Sequence, residues 1–205
     1  MCAAGTYFVM NRAACSWNII CWNVRGIGSD KKHLALHSHI DNSGCSIICL
    51  QETKRDHFDH FYLRKFCPKR FDQFAFVPSI GASGGLLVIW NSARFSGVVS
   101  FAAQWALVIA FKSLHSSHAW TLANIYGPCM GEERLNFVSW LYDVQIGASE
   151  DWVLMGDFNF IRSPANRNRP GGDLADMITF NDIIRSQCLV EIPLRGATFT
   201  WSNMQ

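Results

Sequence analysis

"VLMGDFNFIRS" (153–163) opens as an apolar run and stops abruptly at Asp157, with Asn159 two residues further on. The apolar part reads as a buried strand. In extended backbone Asp157 and Asn159 share a face while Phe158 points the other way, so both polar groups can address one place. Five other short runs read as strands: "NIICWNV" (18–24), "SIICLQE" (46–52), "GLLVIW" (85–90), "ALVIAF" (106–111) and "WTLANIY" (120–126). Between them the period changes to that of helices. "GEERLNFVSWLYDVQIG" (131–147) has Glu132 and Glu133 in its first turn, Phe137, Val138, Leu141 and Val144 on one face, and Gly147 as a stop. "DLADMITFNDIIRSQ" (173–187) begins at a capping Asp173 and sets Leu174, Met177, Ile178 and Ile184 on one side. A weaker helix runs through "KKHLALHSHID" (31–41). The region 71–126 has strands with few helices between them, whereas the ends read as β then α units. That mixture predicts an α/β sandwich rather than a doubly wound parallel sheet.

Composition narrows the function. With 205 residues and 49% of them apolar, the chain supplies one substantial core and not two. Residues 1–16 read as a poorly ordered leader ahead of a domain over 17–205. A formal charge of only +2 excludes a global basic field, so contact with nucleic acid must rest on local patches. The eight cysteines include no C-x-x-C pair and several sit in apolar runs, so they read as reduced thiols rather than zinc ligands or a disulfide framework. No apolar stretch has the roughly 18 to 20 residues that a membrane helix requires.

The ends of the strands carry the chemistry. Asn23, Glu52, Tyr126 and the pair Asp157 and Asn159 each close an apolar run. A carboxylate at such a place needs a cation or hydrogen-bond donors to offset its desolvation. Glu, Asp and Asn oxygens without a His or Cys cluster suit Mg²⁺ or Mn²⁺ better than zinc. Each residue taken singly could equally be a turn former or a cap.

"WNVRG" (22–26), "LQETK" (50–54), "SGGLLVIW" (83–90), "NIYGP" (124–128) and "GDFN" (156–159), in that order, resemble the endonuclease/exonuclease/phosphatase family. More narrowly they are similar to the apurinic-type endonuclease domain of plant LINE (non-LTR) retrotransposons. The resemblance implies a four-layer α/β sandwich with two packed mixed β-sheets flanked by helices, and Mg²⁺- or Mn²⁺-dependent nicking of DNA in the nucleus, within an element that also carries a reverse transcriptase. It implies that Glu52, with Asn23 and Asp157, holds the metal. Tyr126 would bind the scissile phosphate, Asp157 would activate water, and Asn159 would help hold both. Arg162, Arg167 and Arg169, in the loop directly after Asn159, would contact DNA, and Lys65, Lys69 and Arg70 form a second basic cluster.

Family members continue beyond the "TFTW" strand (198–201) with an Asp-bearing strand and an Asp-His pair, whereas this sequence ends at Gln205, so the expected fold lacks its last strands. His57 and His60 in "RDHFDH" (55–60) come too early to replace that pair and read as helix-surface residues. Two other readings follow: an inactive remnant of the same domain, and a phosphatase or phosphodiesterase of the same fold.

Overall fold

The structure, a computed structural model, describes residues 6–10, 17–81, 83–144, 151–166 and 172–193. Its strands are β1 (Thr6–Met10), β2 (Ile19–Asn23), β3 (Ile47–Gln51), β4 (Gln73–Val77), β5 (Leu86–Trp90), β6 (Phe95–Ala103), β7 (Ala106–Ser113), β8 (Ala119–Tyr126), β9 (Asp151–Asp157) and β10 (Val190–Glu191). Its helices are α1 (Asp30–Ser43), α2 (His60–Leu63), α3 (Glu132–Asp143) and α4 (Leu174–Ser186).

Two mixed sheets form. One has the order β10-β1-β9-β8-β7-β6 and the other β2-β3-β5-β4. Among the described residues each has one parallel pair, β8 with β9 and β2 with β3. Both sheets turn an apolar face inward. Ile47, Cys49, Val88 and Trp90 of the small sheet meet Leu107, Ile109, Trp120, Leu122 and Met155 of the large one. The outer faces are covered by helices: Leu36 and Ile40 of α1 and Leu63 of α2 pack on Ile48, Leu50, Leu87 and Ile89. Phe137 and Leu141 of α3, with Phe180, Ile183 and Ile184 of α4, pack on Val108, Ala123, Ile125 and Leu154. The fold is the expected sandwich of two packed mixed sheets between helices.

Helices α2 and α4 start at capping aspartates, Asp59 and Asp173. Asp173 accepts hydrogen bonds from the Ala175 and Asp176 amides at 2.8 and 3.4 Å, capping α4 as expected. The buried face of α4 differs from the expected one: Met177, Phe180, Ile183 and Ile184 point inward, while Leu174 and Ile178 are exposed. Leu174 is the first residue of the helix, level with its open end, and Ile178 lies on the side away from the sheet. In α3 Phe137 and Leu141 are buried and Val138 and Val144 pack at their margin, as the period predicts. Gly147, Arg167, Arg169 and the "TFTW" segment lie outside the described residues.

Two further differences concern strands. Within 1–16, read as a poorly ordered leader, Thr6–Met10 instead pairs antiparallel with β9 and β10. Neither β4 nor β6 was read as a strand: both are sheet edges, β4 having only the short apolar run 74–77, mostly half-buried, and β6 having its apolar residues interrupted by Ser96, Gly97 and Ser100.

Candidate active site

The parallel pairs place the functional side chains. In each pair the strands end side by side, with Asn23 level with Gln51, and Tyr126 level with Asp157. Face-to-face packing of the sheets then brings these ends together. The Asn23 amide nitrogen donates to Glu52 Oε1 and to Asp157 Oδ2, each at 2.9 Å. One carboxamide therefore joins a carboxylate from each sheet.

The backbone around these ends is strained. Arg25, Glu52, Lys54 and Asn159 all have φ near +50°, the left-handed region that non-glycine residues seldom occupy. The strain is held by close main-chain pairing. The Gly26 amide donates to the Glu52 carbonyl at 2.6 Å, and the Thr53 and Lys54 amides donate to Gly85 and Gly84. A Cβ at Gly85 would overlap the Thr53 hydroxyl, and its φ of +88° is costly for other residues, which explains the "SGG" preceding β5. Gly156, at φ +134°, lies so close to β8 that a Cβ would run into the Ile125 carbonyl. This is why "MGDF" carries a glycine immediately before its carboxylate.

Asp157 is 5% exposed. Burial pushes its carboxyl up to about 6, and the neighbouring Glu52 charge adds to this against the opposing hydrogen bonds from Asn23 and the Asn159 amide and the charge of Arg25. Tyr126 is held well above the ordinary phenol range by burial first, then by the Glu52 charge and its own hydrogen bond to Glu52. It is therefore a hydrogen-bond donor across neutral pH. Asn159 donates its main-chain N–H to Asp157 Oδ1 at 3.1 Å and its side-chain amide to the Gly127 carbonyl at 2.5 Å.

Asn23, Glu52, Tyr126, Asp157 and Asn159 thus come together as the sequence suggested. Arg162 does not join them: its guanidinium bonds Asn181 Oδ1 at 3.0 Å and pairs with Glu191, fastening the loop after β9 to α4 and β10. Of the second basic cluster, Arg70 pairs with Asp41 on α1 at 3.4 Å. His60 opens α2 on the surface, as expected, while His57 lies in the loop before it.

Three features escaped sequence reasoning. Gln51 and Asn124, both fully buried, hydrogen-bond across the sheet interface at 2.5 Å, and Asn124 also donates to the carbonyls of Leu50 and Leu87 at 3.1 and 3.3 Å. This amide pair locks β8 to β3 and β5 just behind the site, and its only signal was a polar residue inside each apolar run. Lys32 of α1 donates to three consecutive carbonyls, Val24, Arg25 and Gly26, at 2.9, 2.7 and 2.7 Å. It holds the loop from which the Arg25 amide donates to Asn23 Oδ1 at 3.3 Å, and so fixes which way the Asn23 amide faces. Third, a cavity of about 330 Å³ opens beside Tyr126.

Among the described residues no group of three or more His, Cys, Asp or Glu side chains gathers around one point. Two carboxylates and a carboxamide still form a hard, oxygen-rich donor set that fits Mg²⁺ or Mn²⁺. The electrostatics fit as well, since the nearby Glu52 charge adds to the cost of ionising buried Asp157 and a cation would relieve it.

The sequence profile described as "Endonuclease/Exonuclease/phosphatase family" matches residues 20–204. Among curated proteins no relative matches. An AP endonuclease from Leishmania major superposes with TM-score 0.59 at 18% identity, covering 89% of this chain and 67% of that one. One from Archaeoglobus fulgidus gives 0.62 at 16% identity, covering 83% and 70%. The endonuclease domain of TRAS1, a telomere-specific non-LTR retrotransposon, gives 0.58 at 10% identity, covering 82% and 72%. At these identities the likeness is one of fold.

Proposed function

The chain belongs to the endonuclease/exonuclease/phosphatase family, and from that premise we propose that it hydrolyses phosphodiesters of DNA with the help of a divalent cation, as a nicking endonuclease. The observation that carries the reading is the convergence of Glu52 and Asp157, from different sheets, on the Asn23 amide. The narrower reading makes it the apurinic-type endonuclease domain of a plant LINE-like element that also encodes a reverse transcriptase and acts in the nucleus. It is supported by the order of the five motifs and by the fold shared with AP endonucleases and the TRAS1 domain.

Glu52 and Asp157, with the carbonyl side of Asn23 available if its amide turns, would hold the Mg²⁺ or Mn²⁺. When bound, the cation neutralises charge that develops on the phosphoryl oxygens. The chain's own groups supply the rest. Asp157, with a proton affinity raised by burial, accepts the proton of an attacking water near neutral pH. The Tyr126 hydroxyl, kept protonated, turns from Glu52 to donate to a nonbridging oxygen. Asn159 orients Asp157 through its main-chain N–H, while its amide is engaged with Gly127. Arg25 and Lys54, both exposed on left-handed residues beside the site, offer positive charge to the DNA backbone.

The test is plasmid nicking in Mg²⁺ by the wild type and by Asp157→Ala and Glu52→Ala, each checked for folding. Nicking that needs both carboxylates and stops in EDTA is expected. Folded wild-type protein that leaves the plasmid intact would overturn the nuclease reading.

A further inference from the structure

Tyr126 and Gly127 form one side of the cavity, and its remaining walls have no part in the steps above. Ile80, Trp105 and Pro128 line it, together with the polar side chains of Ser83, Gln104 and Glu133. Gln104 and Trp105 are the two-residue tip of the β6–β7 hairpin, because Ala103 pairs with Ala106. Tight hairpin turns favour Asn-Gly or another glycine-containing pair that accepts positive φ. Neither Gln104 nor Trp105 has positive φ, so turn chemistry does not account for a glutamine and a tryptophan there. The tip is anchored to the candidate active site, since the Trp105 carbonyl accepts the Tyr126 amide at 2.9 Å.

We propose, building on the nuclease reading, that this cavity is a nucleobase subsite which receives the base adjoining the scissile phosphate. A phosphate group does not suit it, because among the described residues no Lys or Arg lines the cavity and Glu133 would repel the anion. An acyl chain would make no use of the polar Ser83, Gln104 and Glu133 side chains. A base matches both kinds of wall. Its faces lie against Trp105 and Pro128, and its edge carries donors and acceptors for the Gln104 amide and the Glu133 carboxylate. The volume of about 330 Å³ admits one nucleoside and not a duplex. Because Glu133 only accepts hydrogen bonds when ionised, bases with an exocyclic amino group, adenine, cytosine and guanine, are preferred over thymine, whose edge offers a single N–H.

Uncharged deoxynucleosides test this without the phosphate, which the two carboxylates would repel in the absence of metal. Binding of deoxyadenosine, deoxycytidine and thymidine, with 2-deoxyribose as the base-free control, is followed through the tryptophan indole N–H signals in NMR, Trp105 being assigned by its loss in Trp105→Phe. The expected result is saturable shifts of the Trp105 signal by the amino-bearing nucleosides, at least ~10-fold tighter than for the sugar, as stacking of one base warrants. Glu133→Gln should reduce the preference over thymidine. Gln104→Ala, a change at the hairpin tip, should weaken binding of the nucleosides and leave the sugar unaffected. Nucleosides that bind no better than deoxyribose, or binding indifferent to both Gln104→Ala and Glu133→Gln, would overturn the proposal. Base binding by a protein that fails to nick plasmid would keep the subsite and refute the nuclease reading, and nicking without base binding would do the reverse.

Discussion

Replacing Asp157 by Asn should change how stability depends on pH, and by an amount that the structure fixes. The carboxyl goes from an ordinary 3.8 to about 6 in the fold, chiefly through burial. Between those values the folded state binds more protons than the unfolded chain, so stability falls as pH rises across that window and is level above it. A difference of this size corresponds to about 3 kcal/mol held well below pH 4 and lost by pH 7. In Asp157→Asn the group no longer titrates. The variant keeps an acceptor for the Asn159 amide but sets an NH₂ against that of Asn23, a penalty of about 1–2 kcal/mol that does not vary with pH.

Urea unfolding in EDTA, followed by tryptophan fluorescence at intervals from pH 4 to pH 8, isolates the effect. Other titrating groups cancel in the difference between the two proteins. The wild type should lose a little over ~2 kcal/mol relative to Asp157→Asn over this range, most of it between pH 4 and pH 6.5, the remainder of the ~3 kcal/mol having gone below pH 4. A difference that stays constant to within about 0.5 kcal/mol would refute the claim that Asp157 is buried as a costly anion. Adding Mg²⁺ at pH 7.5 should then restore stability to the wild type and not to the variant, since ligand that binds only the folded state stabilises it.

Other perturbations test the scaffold. Gly156→Ala should prevent stable folding or cost more than about 3 kcal/mol, read by thermal unfolding, because its Cβ meets backbone that cannot yield. Lys32→Met should destabilise by about 2 kcal/mol and lower kcat more than it raises KM, with partial recovery in Lys32→Arg, because it frees the loop that orients Asn23. An unchanged kcat in folded Lys32→Met would refute that positioning role. Arg25→Ala with Lys54→Ala should weaken DNA binding uniformly across sequences and reduce the slope of log K against log salt by about 1–2; an unaltered slope would place the phosphate path elsewhere.

The parts of the fold legible in sequence were those where burial makes a strand apolar on both faces. β3 and β5 are buried throughout, and both were read to within a residue. The edges β4 and β6 went unread because β4 offers only four apolar residues in a row, mostly half-buried, and the apolar residues of β6 are interrupted by Ser96, Gly97 and Ser100. The site was legible for a related reason, since polar residues closing apolar strands stand out against their context. What sequence order could not convey was the partner each polar group finds. Arg162 follows Asn159 by three residues yet turns to Asn181 and Glu191, and Lys32, eight residues from Val24, caps the loop that starts there.

The assembly of the site follows from sheet packing more than from any one loop. Among the described residues each sheet contributes one parallel pair, and in each pair both strands finish at the same edge. Packing apolar faces would align those edges only approximately, because side chains such as Leu122 and Val88 interdigitate without directional preference. The Gln51–Asn124 pair supplies direction: its hydrogen bonds run from β8 to β3 and β5 and tolerate little sliding. Both amides lie within two residues of a site residue, Gln51 beside Glu52 and Asn124 two before Tyr126. Displacing one sheet along the other would therefore break this buried pair at the same time as it separated Glu52 from Asp157. Asn23 can span two carboxylates on different sheets because a second, buried carboxamide contact has already fixed their registration, which explains why the strand 151–157 ends where it does, in a carboxylate placed opposite another.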